Sequence, residues 1–211
     1  MREEESLRLK KLALKEELLR EKGYQNIAGV DEVGRGTIAG PVVAAACILS
    51  KGILIEEIDD SKKLTALARK RVFDKLKSHP EVEFAIGVVE AELIDQINIL
   101  RASLEAMVIA VSALRTQPDF ILIDGNQTPK FREKIPSEAV VNGDSLILSI
   151  AAASIIAKHL RDAMMLEYHK RWPHYQFCAH KGYATEEHLA LLRKHGPCPI
   201  HRMSFAPVRA L

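Results

Sequence analysis

The feature that most constrains this chain is an apolar run that stops on acid. Ile27-Ala28-Gly29-Val30 leads directly into Asp31-Glu32, and Val33-Gly34-Arg35-Gly36 follows. The run suits a buried strand. A carboxylate at its end is costly in low dielectric unless it meets a cation. Gly34, Arg35 and Gly36 then offer backbone that approaches a ligand closely and a guanidinium suited to phosphate. Carboxylates for a metal beside a grip for an anion point to metal-assisted phosphoryl chemistry. A strand end with solvated acids and a turn is the bland alternative.

The same pattern recurs. Phe120-Ile121-Leu122-Ile123 is a short apolar run ending in Asp124-Gly125-Asn126. A further strand is expected at 139–141, before Gly143-Asp144-Ser145. If the strands neighbour one another, Asp31, Glu32, Asp124 and Asp144 bring hard oxygen ligands together. Oxygen-only ligation selects Mg2+ or Mn2+ over zinc. Two such ions can activate water and stabilise a leaving oxygen in phosphodiester cleavage. Adjacent strand residues point to opposite faces. Asp31 and Glu32 therefore share a site only if the strand bends or ends there, which Gly34 allows.

Local periodicity supplies the remaining elements. Leucines at 7, 9, 12, 14, 18 and 19 predict a packing helix over 5–21, stopped near Gly23. A strand at 41–49 should pair antiparallel with 27–33 through the short connection 34–40. Leu64, Leu67, Val72 and Leu76 predict a helix capped by Ser61 or Thr65. Val82, Phe84, Ile86 and Val88 alternate as a half-buried strand. Leu100, Leu104, Met107, Val111 and Leu114 predict a helix over 98–115 with Asn98 as its cap. A helix over 147–168 carries the small face Ala151-Ala152-Ala153-Ser154, with Asp162 further along. Past Trp172-Pro173 come short pieces rich in His, Gly and Pro, with a helix near 185–195. Strands that come first and then alternate with helices imply an α/β fold. It has a mixed sheet flanked by helices and a small helical C-terminal part.

Several function classes are disfavoured. The 211 residues are 47% hydrophobic and 27% charged, as for a globular chain of one main domain. No apolar run approaches a membrane span, and the acidic start Met1-Arg2-Glu3-Glu4-Glu5 does not resemble a signal peptide. Cys47, Cys178 and Cys198 are odd in number and form no Cys-x-x-Cys, which suits a reducing cytosol. Cys47 reads as a small core residue. Net charge is uneven: residues 158–211 hold nine Lys/Arg against four Asp/Glu, a net +5 in a chain of net +2. A basic C-terminal quarter beside an acidic site suits a polyanion that bridges metals. Cys178, His180, His195, Cys198 and His201 offer a competing zinc set, but their spacing is irregular for one. His169 and His174 read as surface or hydrogen-bonded groups. No Gly-x-Ser-x-Gly or Cys-His signature supports a nucleophilic enzyme.

Seven segments together resemble one family, bacterial ribonuclease HII. They are Gly29 to Gly36, Asp60-Ser61-Lys62-Lys63-Leu64, Ile123-Asp124-Gly125-Asn126, Gly143-Asp144-Ser145, and residues 151–158 with Arg161-Asp162. His180-Lys181-Gly182-Tyr183 and His201-Arg202-Met203-Ser204-Phe205 complete the set. They run in the family's order over about residues 24–208. The resemblance implies a ribonuclease-H-like fold in which residues 1–23 form an N-terminal helix and 24–168 the catalytic domain. Residues 169–211 would be a helical substrate-binding segment. It implies cleavage of RNA in RNA–DNA hybrids and at single ribonucleotides embedded in duplex DNA, leaving 3′-hydroxyl and 5′-phosphate ends. It makes Asp31, Glu32, Asp124 and Asp144 the metal-binding and catalytic carboxylates, with Mn2+ or Mg2+ as cofactor. Gly34, Arg35, Gly36 and Tyr183 would read the RNA–DNA junction. Lys62 and Lys63 would sit near backbone phosphate, and Asp162 would be a supporting residue. A monomeric cytoplasmic enzyme is expected. Thr37-Ile38 replaces the family's frequent Pro-Leu, and Asn142 stands where a lysine is common. About 25 residues before the first strand are too few for the N-terminal substrate domain of the related ribonuclease HIII. A binding protein without catalysis and a metal-dependent phosphatase for small substrates compete. Four carboxylates facing phosphates disfavour the first, and the basic C-terminal quarter disfavours the second.

Overall fold

The apolar octapeptide Val42–Leu49 is buried at every position because helices cover both of its faces. The computed structural model describes residues 3–131 and 133–211; Met1, Arg2 and Arg132 lie outside the described residues. Among the described residues the strands are β1 (Ile27–Val33), β2 (Val42–Leu49), β3 (Val82–Val89), β4 (Phe120–Asp124) and β5 (Ser137–Val140). They form one sheet in the order β3-β2-β1-β4-β5. β2 is antiparallel to β1 and β3, whereas β4 runs parallel to both β1 and β5. The sheet is thus mixed, as the sequence implies, and β1 is its central strand.

One face packs against α1 (Glu3–Glu21), α2 (Ala66–Ser78) and the long α6 (Leu148–Arg171). The other packs against α4 (Ile99–Ser112), with the short α3 (Ala91–Ile97) leading into it. A single helical turn, α5 (Gly143–Leu146), links β5 to α6. Small residues set the depth of these contacts. A Cβ on Gly29 would lie 2.2 Å from the Ser149 carbonyl carbon of α6, and one on Gly87 would lie 2.0 Å from the Ala106 oxygen of α4. Neither helix could sit so close to a strand carrying any side chain there.

The caps expected from sequence form. Thr65 accepts from Ala68 N at 3.2 Å, and Asn98 accepts from Arg101 N at 3.1 Å. Asn98 also ends α3, which periodicity did not reveal, and holds φ +68° to turn one helix into the next. The stripe predicted for α4 is buried at Met107 and Val111 and partly at Leu104 and Leu114, but the buried face also takes in small residues that the stripe did not include. Ala102, Ala106 and Ala110 are buried with Met107 and Val111, while Leu100 is exposed. Gly87 explains the difference, because close approach to β3 favours the alanine side. Leu67 of α2 likewise points to solvent. α1 packs through Leu9 and Leu19, leaving Leu7, Leu14 and Leu18 exposed.

The C-terminal part comprises a 3-10 turn (Pro173–Tyr175), α7 (Phe177–His180), α8 (Glu186–His195) and α9 (Ala206–Arg209). Two arginines, both with 0% of their surface exposed, fasten it to the loop after β1. Arg161 of α6 donates to the Pro41 carbonyl at 2.9 Å, the Lys181 carbonyl at 3.0 Å and Thr37 Oγ1 at 2.9 Å. Arg202 donates to the carbonyls of Gly34 at 2.6 Å, Arg35 at 3.1 Å and Gly40 at 3.0 Å. The Ile38 N–H donates to the Gly182 carbonyl at 2.9 Å, so the segment bearing Tyr183 is tied to the same loop.

Candidate active site

The strand ends place the carboxylates. β1 and β4 are parallel neighbours paired through Val30 and Ile123, so the acids that follow, Asp31 and Asp124, emerge side by side. α5 starts just past β5 and returns Asp144 to the same edge, its backbone N–H 3.4 Å from Asp124 Oδ1. Asp31, Asp124 and Asp144 each offer an oxygen within 4.8 Å of the others. Asp144 stands on a helical turn rather than directly after the strand.

Burial and mutual repulsion make this cluster costly without a cation. Asp31 is 5% exposed. Desolvation, then the charges of Glu32 and Asp124, push its pKa well above the usual carboxylate range, although the Ser154 hydroxyl hydrogen-bonds to it. Asp124 is raised by desolvation and then by Asp144. Lys62 answers part of the charge: its Nζ lies 2.9 Å from Asp144 Oδ2, and that bond raises the lysine's pKa. Three hard oxygens, desolvated and drawing in the Lys62 ammonium, suit a divalent cation.

Glu32 is not among the three whose oxygens lie within 4.8 Å of one another. The β1–β2 ladder continues through Val33, so the strand does not bend at Asp31 and the side chains alternate. Asp31 turns toward Ser154 of α6, while Glu32 shares the face of Val30. Glu32 pairs with Arg35, Oε1 to Nη1 at 3.1 Å, and its Oε2 is buried without a hydrogen-bond partner. Desolvation raises Glu32, and Arg35 counters it. The carboxylate nevertheless feels the charge of Asp124, so it borders the cluster from the opposite side of the strand.

The other predicted residues have contacts of their own. Lys63 pairs with Asp59 at 3.3 Å. Gly34 holds φ +97° and its carbonyl is gripped by Arg202 and Thr37. Gly36 faces open space. Tyr183 is 43% exposed, with Lys158 Nζ 6.0 Å from its ring centroid. Asp162 bridges Lys158 at 2.7 Å and Arg69 of α2 at 3.3 Å.

Sequence reasoning assigned no role to Ser154, Arg161, Arg202 or His188. Ser154 Oγ lies 2.8 Å from Ser61 Oγ, joining the Asp31 environment to the loop that delivers Lys62. The histidine- and cysteine-rich tail is a hydrogen-bond relay rather than a zinc site. The His188 Nδ1–H donates to the Tyr183 carbonyl at 2.8 Å. Its Nε2 then accepts from His201 Nε2 at 3.1 Å, and His201 Nδ1 accepts from the Cys198 N–H at 2.9 Å. These tautomers follow from the network. The two ring nitrogens of His201 serve different partners and cannot converge on one ion. Among the described residues the only candidate metal group is the aspartate triad.

Burial lowers His188 and His201 from 6.5 to about 4 each. An unfolded chain takes up these protons near pH 6.5, whereas the folded chain holds them off until about pH 4. The two rings therefore contribute stability that is complete above pH 6.5 and lost as pH falls toward 4. Nitrogen-15 NMR of both imidazoles should find them neutral at pH 5.5. Protonation with ordinary midpoints near 6.5 would refute the relay.

The fold and site define a class: a nuclease of ribonuclease H architecture whose sheet edge gathers three aspartates, Asp31 and Asp144 buried and Asp124 partly so. The model of one family, "Ribonuclease HII", matches residues 28–208. Ribonuclease HII of Chlamydia caviae is 54% identical over 207 residues, 98% of this chain and 96% of that one. The crystal structure of ribonuclease H2 from Pyrococcus horikoshii OT3 superposes with TM-score 0.73 at 26% identity, covering 88% of this chain and 96% of that one. Bst-RNase HIII in complex with Mn2+ shares the fold at TM-score 0.68 and 20% identity, covering 97% of this chain and 71% of that one. The chain belongs to the ribonuclease HII family, and it is a ribonuclease H endonuclease.

Proposed function

We propose that the chain cuts RNA in RNA–DNA hybrids and incises duplex DNA 5′ of a single embedded ribonucleotide, leaving 3′-hydroxyl and 5′-phosphate ends. The observation that carries this reading is the convergence of Asp31, Asp124 and Asp144 beside a loop fastened to the segment of Tyr183. Those three aspartates, joined by Glu32 through its unpartnered Oε2, would hold Mn2+ or Mg2+. When bound, a pair of such ions supplies an activated water and charge for the leaving oxygen. The Mn2+ of the HIII neighbour supports this choice of metal.

Recognition falls to the chain's own groups. Lys62 exchanges Asp144 for a backbone phosphate once the cluster is neutralised, and Lys63 stands beside it for the next one. Only the 2′-hydroxyl, or the sugar shape it imposes, distinguishes a ribonucleotide at one position. Gly34 and Gly36 let backbone groups reach that hydroxyl, with no Cβ between, and Arg35 holds the neighbouring phosphate. Tyr183 lays its ring on the sugar and its phenol beside it. The C-terminal helices form the substrate-binding segment. The enzyme acts as a monomer in the cytoplasm; no described helix is long and apolar enough to cross a membrane.

The test is an end-labelled duplex carrying one ribonucleotide, incubated with and without Mg2+ or Mn2+. Metal-dependent incision on the 5′ side of that residue is expected. No cutting at the ribonucleotide, or cutting that survives chelation, would reject the reading. Tyr183→Ala should lower single-ribonucleotide cleavage by about 10–100-fold, in proportion to lost stacking and a lost hydrogen bond. Its melting temperature should change little, because the ring is half exposed. Equal loss on continuous hybrids would make Tyr183 a general binding residue instead.

A further inference from the structure

A cavity of about 290 Å³ lies between α1, the turn after β2 and the start of α6. Its walls are largely apolar and include Leu14, Leu49, Ile53 and Leu148. Three buried polar side chains, Glu16, Arg20 and Ser149, also line it, and the Ser149 hydroxyl has no hydrogen-bond partner. Glu16, 6% exposed, uses Oε1 to accept the Ser149 N–H at 2.8 Å, but its Oε2 has no partner. Arg20, with its side chain 8% exposed, spends Nη1 and Nη2 on the carbonyls of Gln25 and Leu49, both within 2.8 Å. Its Nε–H has no hydrogen-bond partner, the Glu17 carboxylate standing 3.7 Å away. Buried polar atoms are rarely left unpaired, so three around one cavity call for an explanation.

Solvent alone explains them poorly. The volume is worth roughly ten waters, each needing two to four polar partners, and the walls offer few. An apolar body with a polar head fits better. Charge restricts the head. A cation would face Arg20, and an anion would face Glu16 in an apolar setting. A neutral head that donates to Glu16 Oε2 and accepts from Arg20 Nε–H satisfies both. Glu16 and Arg20 stand four residues apart on α1, hence on one face of the helix. We propose that this cavity is a binding site for a small neutral carboxamide, its apolar body between α1 and the turn after β2 and its amide between Glu16 and Arg20. The site is separate from the carboxylate cluster: Ile27, which borders it, stands four residues before Asp31 on β1, about 13 Å along the strand.

Benzamide is the probe, added to the full chain and followed by calorimetry and by melting temperature. Saturable binding with a rise in melting temperature is expected. Acetophenone, which has the carbonyl but no N–H, and benzamidine, the charged analogue, should each bind at least about tenfold more weakly. Glu16→Met should lose benzamide binding by a similar factor. Should that variant fail to fold, Leu14→Trp decides: Leu14 is 57% exposed, so the fold tolerates the change while the larger ring closes the cavity. Asp31→Asn should bind benzamide as the parent does. No saturable binding up to about 10 mM would mean the cavity holds solvent only and overturn the proposal. Equal affinity for acetophenone would reduce it to an apolar slot, and undiminished binding by Leu14→Trp would place the ligand elsewhere; either outcome overturns it as well.

Discussion

Asp31→Asn should abolish cleavage, by roughly 10³-fold or more, while the metal-free protein melts no lower than the parent. The two effects have one cause. Asp31 is buried against Glu32 and Asp124, and its carboxyl is held well above its ordinary range, first by burial. A folded-state pKa raised in this way favours the fold at low pH, and the benefit is lost as pH rises through the folded value. At neutral pH the ionised cluster therefore weighs against folding. Asparagine keeps the shape and can still accept the Glu32 N–H that now bonds Oδ1 at 2.7 Å. It removes the charge, which relieves the metal-free fold and removes an anionic ligand. The metal-free variant should melt about 2–4 °C higher, on the order of 1 kcal/mol. Mn2+ or Mg2+ should raise the melting temperature of the parent and do far less for the variant. Calorimetry with and without metal, alongside the cleavage assay, checks both halves. A variant that melts far below the parent would make Asp31 a folding residue, and one that still cuts would remove it from the site.

Arg202→Met should have the largest effect on stability, about 3–5 kcal/mol. The guanidinium is fully buried and forks onto the carbonyls of Gly34, Arg35 and Gly40. Among the described residues no carboxylate hydrogen-bonds to it. Burial, followed by the charge of nearby Arg161, pushes its pKa down to about 9, so it stays protonated at neutral pH. Methionine fills much of the space but leaves the Arg35 and Gly40 carbonyls without their donor, while Gly34 keeps only the Thr37 hydroxyl; each buried carbonyl left unpaired costs about 1–3 kcal/mol. Lysine should rescue little, because one ammonium cannot reproduce the planar fork. Urea denaturation checks the magnitude. The same variant should lose discrimination at a single ribonucleotide before it loses metal binding, since the aspartates hang on the sheet and its α5 turn while the 34–41 loop hangs on Arg202. A loss below about 1 kcal/mol would show that water replaces the guanidinium and that the loop stands without it.

What the sequence determined by itself was local or carried by motif. The bounds of β1, the caps at Thr65 and Asn98, and the ends of β4 and α8 were legible because a period of two or 3.6 and a capping side chain act within a few residues. The chemistry of the site was legible because an acid at the end of an apolar strand needs an unusual partner, and motif order then named the family. The tertiary structure decided what depends on distant neighbours. α4 buries Ala102, Ala106 and Ala110 beside Met107 and Val111 because Gly87, on another element, admits the helix closely on its small side. Arg161 and Arg202 stood in motifs without a role, since nothing nearby in sequence shows that carbonyls 120 and 168 residues away will surround them. Glu32 stands apart from Asp31, its neighbour in sequence, because the ladder to β2 continues past both and alternation sends them to opposite faces. Asp124 and Asp144, far from Asp31 in sequence, meet it because β4 lies parallel beside β1 and α5 turns back over the same edge. Strand order is set by the competition of whole faces for burial, a free energy that no short window of residues contains.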